Sequence, residues 1–245
     1  MKSENKTVVV TGASSGLGFA IAQAYLQRGY NVVGNARTLE RLQKAADQLG
    51  NPENFLLVDG DIAKASTAKK LFERAIAAFG KVDILINNAG IFIGKPFTSY
   101  TEQDLDGLID TNLRGFFYIS QQAAAHMAAN RQGHIVNITA SVASQPSASV
   151  PALLPVLIKG GLNQATKALA LELASSNVKV NAVAPGIIDT PLHTPEMHEF
   201  LKGLQPLGRM GEAKDVVEAV LYLTDSSFTT GAILAVDGGA TSGRW

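Results

Sequence analysis

Thr11-Gly12-Ala13-Ser14-Ser15-Gly16-Leu17-Gly18 sets glycines between the apolar run Thr7–Val10 and a helical stretch, Ser15–Arg28. Glycine lets the backbone turn tightly and approach a ligand closely. Free N–H groups at a helix start then face an anion. The chemistry this implies is a diphosphate cradle, with Gly12, Ser14, Ser15, Gly16, Leu17 and Gly18 as its candidate contacts. The spacing departs from the GxGxxG dinucleotide fingerprint, and a glycine turn by itself also serves as an ordinary strand-to-helix connection. The strand before it and the helix after it favour the phosphate reading.

Dinucleotide sites that take NAD place an Asp or Glu about 20 residues after the loop, at the end of the second strand, to hold the ribose hydroxyls. Here that strand ends Gly34-Asn35-Ala36-Arg37, with no acid. A guanidinium at Arg37 can pair with a 2′-phosphate in bidentate fashion. The expectation is that NADP(H) is preferred and NAD(H) possible; the bland alternative is a solvated loop charge.

Other chemistries are excluded or weak. There is no Cys, so disulfides, thiolate metal sites and a Cys nucleophile are ruled out. His126, His134, His193 and His198 form no metal-ligand pattern, so no metal site is expected. Lysine plus arginine and aspartate plus glutamate both number 21. A balanced chain has no overall field for gripping nucleic acid or anionic lipid, so neither is expected as a partner. The opening Met1-Lys2-Ser3-Glu4-Asn5-Lys6 does not read as a signal peptide, and no apolar run is long enough to span a bilayer. A cytoplasmic protein acting on a small-molecule substrate is expected.

The elements that must position these residues alternate along the chain. Strands are predicted at Thr7–Val10, Asn31–Gly34, Phe55–Val58, Ile84–Ile86, Ile135–Ile138, Val178–Val183 and Ile233–Val236. Helices are predicted at Ser15–Arg28, Leu39–Leu49, Ala65–Phe79, Glu102–Asn130, Val156–Ser175 and Ala213–Leu223. The strands are short, rich in Val and Ile, and apolar on both faces, which fits a parallel sheet covered on both sides. No linker or repeat divides the 245 residues. The fold class is α/β: a Rossmann-type doubly wound parallel sheet with helices on both faces, in a single domain spanning residues 1–245. Residues 187–211 break the alternation with Pro191, Pro195 and Pro206 and follow a strand's C-terminal end. A long loop in that place is expected to act as a substrate lid.

Further segments make the chain resemble the short-chain dehydrogenase/reductase family over about Thr7 to Gly239. The glycine loop is similar to the family's TGxxxGxG. Asp61-Ile62 resembles its adenine-contacting pair, and Asn87-Asn88-Ala89-Gly90 matches its NNAG motif. Asn112 matches the active-site asparagine, Pro185-Gly186-Ile187-Ile188-Asp189-Thr190 the PGxxxT stretch, and Val236-Asp237-Gly238-Gly239 the usual ending. The resemblance implies an oxidoreductase and adds cofactor contacts at Asp61, Ile62, Asn88, Ala89, Gly90, Lys159, Pro185, Gly186, Ile188 and Thr190. Catalytic roles are implied for Asn112, Ser141 and Lys159.

The chain departs from the family at one place. Lys159 stands where the lysine of tyrosine-x-x-x-lysine belongs, but Pro155 occupies the tyrosine position, and Ala152 the position seven before the lysine. None of Tyr25, Tyr30, Tyr100, Tyr118 and Tyr222 lies in this segment. Ser141 is the best match to the family serine, although a shift of one residue puts Ala140 there. Hydride reaching a carbonyl carbon leaves charge on oxygen, and a placed acid speeds that step by about 10²–10⁴-fold. Proline has no proton to give. Three outcomes stay open. Lys159, Ser141 or a water between Asn112 and Lys159 supplies the proton; or a quinone, iminium or conjugated C=C substrate needs no enzymic acid; or the fold is a nucleotide-binding sensor or structural subunit without turnover.

Val156, Leu157, Ile158, Leu162, Ala165, Leu169 and Leu173 make one helix apolar nearly all round. Such a helix needs cover on more than one side. Charged residues make up 17% of the chain, below the roughly 25% usual for globular proteins. In the family this helix pairs across a two-fold axis. A homodimer or homotetramer is expected.

Overall fold

The computed structural model describes residues 5–191 and 193–243. Seven parallel strands form one sheet: β1 (Thr7–Thr11), β2 (Asn31–Ala36), β3 (Phe55–Asp59), β4 (Ile84–Asn87), β5 (Gly133–Ile138), β6 (Val178–Pro185) and β7 (Ile233–Val236). Their order is β3-β2-β1-β4-β5-β6-β7. The order reverses between β1 and β4, and in open sheets of this kind the crevice at that reversal, beyond the strands' C-terminal ends, receives ligands.

Strand periodicity sorts the core. Val8 and Val10 point to one face of β1 and Val9 to the other, and all three are fully buried. The first face is covered by α1 (Gly16–Gln27), α2 (Leu39–Gln48) and α8 (Ala213–Asp225), through Ile21, Tyr25, Leu42, Val216 and Leu223. The second is covered by α3 (Ala65–Phe79), α5 (Gly115–Asn130) and α6 (Leu153–Leu173), through Leu71, Phe72, Ile119, Met127 and Leu173. Tyr25 and Thr224 share a buried hydrogen bond of 2.8 Å that fastens α1 to α8.

Two helices differ from the sequence expectation. Glu102–Asn130 is not one α-helix: α4 (Glu102–Leu108) passes through a π-helical segment, Ile109–Arg114, before α5 begins. The wider turn holds Asn112, whose side chain is bonded outside the helix, and π turns of this kind gather at functional sites. Helix α6 begins at Leu153 rather than Val156, so Pro155 lies inside its first turn. That position has no intrahelical acceptor for an N–H, so the missing donor costs nothing, and the first ladder bond runs from Val156 N to Ala152 O at 2.9 Å.

Residues 187–211 leave the sheet after β6, and the two ends of the excursion pair with each other. Ile188 and Gly211 form a parallel bridge, with Gly211 N donating to Ile187 O and Asp189 N to Gly211 O. Between these ends lie a 3₁₀ turn, Pro195–Met197, and the short α7 (His198–Lys202). Among the described residues no helix is long and apolar enough to cross a membrane.

Candidate active site

The C-terminal ends of β1, β4, β5 and β6 bring the predicted residues together. The loop after β1 is locked by Asn88, whose Nδ2 donates to Thr11 O at 2.9 Å. The Thr11 hydroxyl in turn accepts the N–H groups of Asn88 and Ala89, both at 3.0 Å. Gly18 packs against this lock so closely that a Cβ there would lie 2.2 Å from Gly12 O and 2.4 Å from Asn88 Nδ2. Helix α1 then opens with no side-chain cap from Ser15 and no acid in its first turn. A helix start of this kind, with no side-chain cap and no acid, has the electrostatics that suit an anion. Thr190 stands beside the same loop, with its Cβ 3.8 Å from where a Cβ on Gly16 would be.

At the ends of β2 and β3 the buried Asn35 amide donates to Val58 O and Gly60 O, both at 3.1 Å. This ties together the strand ends that carry Arg37 and Asp61. Arg37 is exposed and has no ion-pair partner among the described residues. Asp61 is exposed and caps its own turn through Ala63 N, while Ile62 is buried.

Deeper in, Lys159 is buried and its ammonium donates to Ile138 O at 2.8 Å. Burial without a carboxylate partner brings its pKa down to about 8. Asn112 is likewise buried, held by Ile91 in both directions. Gly90 leaves the space beside these two groups open. A Cβ at that position would meet Asn112 Oδ1 at 3.0 Å and Lys159 Nζ at 3.3 Å. A cavity with room for about one water lies alongside, lined by Thr11, Asn87, Ala89, Asn112, Asn137 and Lys159 among others. Ser141 is buried in a 3₁₀ turn (Ser141–Ala143) that packs on α6 near Gly160, and its hydroxyl takes no partner among the described residues. Pro155 is buried one helical turn before Lys159.

The stretch Pro185–Thr190 continues from β6, with Gly186 N bonded to Val236 O at 2.9 Å. Pro185 and Ile188 are buried. The described residues contain no group of three or more His, Asp or Glu side chains placed to hold a metal ion.

Sequence reasoning missed the support beneath this site. Asn87 Nδ2 donates to Ser120 Oγ and to Asn137 Oδ1, each at 2.8 Å, and Asn137 Nδ2 donates to Thr166 Oγ1 at 2.9 Å. The chain of amides joins β4, α5, β5 and α6 below Lys159. Its signal was available: an asparagine inside an otherwise apolar strand needs a partner when buried. Gln205, almost wholly buried, was also missed; it lies in a loop rich in Pro and Gly that offers no periodicity.

Comparison with known proteins places the fold and the sequence together. A family model described as enoyl-(acyl carrier protein) reductase matches residues 12–241. The 3-oxoacyl-[acyl-carrier-protein] reductase FabG of Thermotoga maritima is 34% identical over 250 residues, covering 98% of this chain and 99% of that one. The 3beta-hydroxysteroid dehydrogenase 1 of Eggerthella lenta is 35% identical over 257 residues, covering 97% and 94%. A structure of ElxO with NADP bound superposes with a TM-score of 0.91 at 29% identity, over 98% of this chain and all of that one. A 3-ketoacyl-(acyl-carrier-protein) reductase from Brucella melitensis complexed with NADH gives 0.90 at 32% identity, over 97% and 99%. With likeness running nearly end to end in both sequence and fold, this chain belongs to the short-chain dehydrogenase/reductase family.

Proposed function

We propose that this chain is an NADP(H)-dependent oxidoreductase, with NAD(H) as a possible second cofactor. It acts on a small carbonyl or alcohol, a quinone or a conjugated substrate. The observation that carries the reading is the convergence of Asn112 and the Lys159 ammonium on the open side of Gly90, beside the glycine loop. The uncapped start of α1 fits a diphosphate, and the unpaired Arg37 fits a 2′-phosphate. When bound, the nicotinamide donates or accepts a hydride.

The chain's own groups then have separate tasks. Gly12, Ser14, Ser15, Gly16, Leu17 and Gly18 hold the diphosphate through the loop and helix start. Asp61, Ile62, Asn88 and Ala89 border the adenine half. Gly90, Pro185, Gly186, Ile188 and Thr190 border the nicotinamide half. Residues 187–211 cover the substrate side as a lid. Pro155, in place of the family's tyrosine, supplies no proton. Lys159 takes that part: burial brings its pKa to about 8, near the pH at which it must deliver a proton. Ser141 and a water between Asn112 and Lys159 are the other sources within the site. Quinone and enone substrates also suit the site, since their reduced products are stabilised without an enzymic acid.

The apolar residues left exposed on α5 and α6, with Phe117 at 53%, Leu157 at 65% and Leu171 at 82%, support a homodimer or homotetramer. A monomeric mass at micromolar concentration would count against it.

A panel of ketones, quinones and enones mixed with protein and NADPH tests the activity through the near-ultraviolet absorbance of the reduced nicotinamide. Turnover lost in Lys159→Ala, with the fold intact, is expected. A second reading, a nucleotide-binding sensor without turnover, draws on Pro155 and on the existing bonds of Lys159 to Ile138 and Asn112 to Ile91. Tight NADPH binding with no consumption across the panel would favour it.

A further inference from the structure

Among the described residues of 187–211, Gln205, in the returning arm, is the one polar side chain that is almost wholly buried, at 2% exposure, between exposed Gly203 and Pro206–Arg209. Its amide is spent on backbone at both ends of the segment, Ile187 and Arg209. Oε1 accepts the Ile187 N–H at 3.1 Å, and Nε2 donates to Ile187 O at 3.0 Å and to Arg209 O at 2.9 Å. One residue's donor and acceptor are thus both paired by one side chain, as a neighbouring strand would pair them. The fit is tight enough to dictate the residue before it. A Cβ at position 186 would lie 2.3 Å from Gln205 Oε1 and 2.7 Å from the Asp237 Cα. Leu207 N donates to Gly238 O at 3.1 Å, which fastens the same arm to the turn after β7.

The two bonds to Ile187 cross 18 positions in sequence, from the returning arm back to the stretch that leaves the sheet. They sit where β6 ends and the excursion begins. Pro185–Thr190 therefore cannot shift without disturbing the arm, nor the arm without disturbing the stretch.

We propose that Gln205 is a positioning residue for the nicotinamide half of the cofactor, acting through Ile187 and setting the placement of the 187–211 segment at the same time. The assignment rests on the reading of Pro185–Thr190 as the nicotinamide-facing stretch. It places no demand on the adenine half, which Arg37, Asp61 and Ile62 border at the ends of β2 and β3.

That separation gives the test. Titration calorimetry compares NADPH with 2′-phospho-ADP-ribose, which has the adenine half and the diphosphate but no nicotinamide. In Gln205→Met, which keeps the length of the side chain and removes its bonds, the dissociation constant for NADPH rises about tenfold. That for the truncated nucleotide stays as in the unaltered protein. Amide hydrogen exchange at Ile187 and Gly211 quickens in the same variant. Gln205→Glu keeps the shape but turns a carboxylate oxygen toward the carbonyls of Ile187 and Arg209; it is expected to show the same split and carries the test if the methionine variant does not fold. Equal affinities for both ligands in variant and unaltered protein would overturn the assignment. So would an equal loss for both, which would mark Gln205 as a general structural support. If the unaltered protein binds neither nucleotide, the cofactor reading itself falls and takes this assignment with it, a result distinct from either of the others.

Discussion

Asn112 and Ile91 hold each other in both directions: the Ile91 N–H donates to Oδ1 at 2.8 Å, and Nδ2 donates to the Ile91 carbonyl at 2.9 Å. The pairing fixes the chain just after β4 to the π-helical turn and so holds Gly90 beside Lys159. Replacing Asn112 by Leu leaves a backbone donor and acceptor unpaired in a half-buried place, at a cost of about 1–3 kcal/mol. Asn112→Asp keeps the acceptor but sets an oxygen against the Ile91 carbonyl. Both variants are expected to lower the denaturant midpoint, without a change in slope, and to weaken NADPH binding.

Lys159 makes the stability of the nucleotide-free protein depend on pH in a direction opposite to that of an ion-paired lysine. Its pKa falls from 10.5 to about 8 in the folded state. Below about 8 the group is charged in both states, and the penalty of burying that charge is fully present. Between about 8 and 10.5 the folded protein has released the proton and the unfolded chain has not, so stability rises with pH. The full span of the shift corresponds to about 3 kcal/mol. Urea unfolding of the protein and of Lys159→Met across this range is the check: the rise belongs to the unaltered protein, and its absence there would show that Lys159 titrates normally.

Much of this was legible in the residues, for physical reasons. Strands buried on both faces read as continuous aliphatic runs, so Val8–Val10 and Ile84–Ile86 stand out. The glycines of the first loop announced a backbone that must approach something closely. The π turn did not show, because a single wide turn barely disturbs a helical period over Glu102–Asn130. Gln205 did not show either. Its burial depends on a contact with Ile187, and nothing local distinguishes it from the exposed residues around it. The start of α6 was misplaced because a proline reads as a boundary, whereas at Pro155 it sits harmlessly inside the first turn.

Arg37 is expected to set the choice between the two nicotinamide cofactors. It is exposed at the end of β2, with no acid paired to it among the described residues and none at the strand end. A charge-assisted pair with a phosphate is worth about 1.5–3 kcal/mol, so Arg37→Ala should weaken NADPH roughly 10- to 100-fold. NADH affinity should hardly move, since it has no 2′-phosphate. Arg37→Asp adds a carboxylate that can accept from the ribose hydroxyls, and it is expected to turn the preference toward NADH. Equal losses for both cofactors in calorimetry would place Arg37 elsewhere in the binding.

Pro155→Tyr tests the proposal that this site works without a phenolic acid. Position 155 lies four residues before Lys159 on α6, so a side chain there projects from the same face of the helix. The backbone change is mild. A tyrosine in the first turn gains an N–H that no intrahelical acceptor awaits, and helix formation beyond Val156 does not depend on it. The buried Lys159 ammonium, with the Ile138 carbonyl as its partner among the described residues, lies one turn away and would favour a phenolate beside it. If the unaltered protein is an oxidoreductase slowed by the lack of a phenol, NADPH-dependent reduction of simple ketones should rise by about 10²-fold in the variant. Quinone reduction, which does not need the acid, should change little. A variant that folds, binds NADPH as before and still reduces no ketone would mean that the substrate side of the site, and not the proton alone, has been given up; the sensor reading would then take precedence.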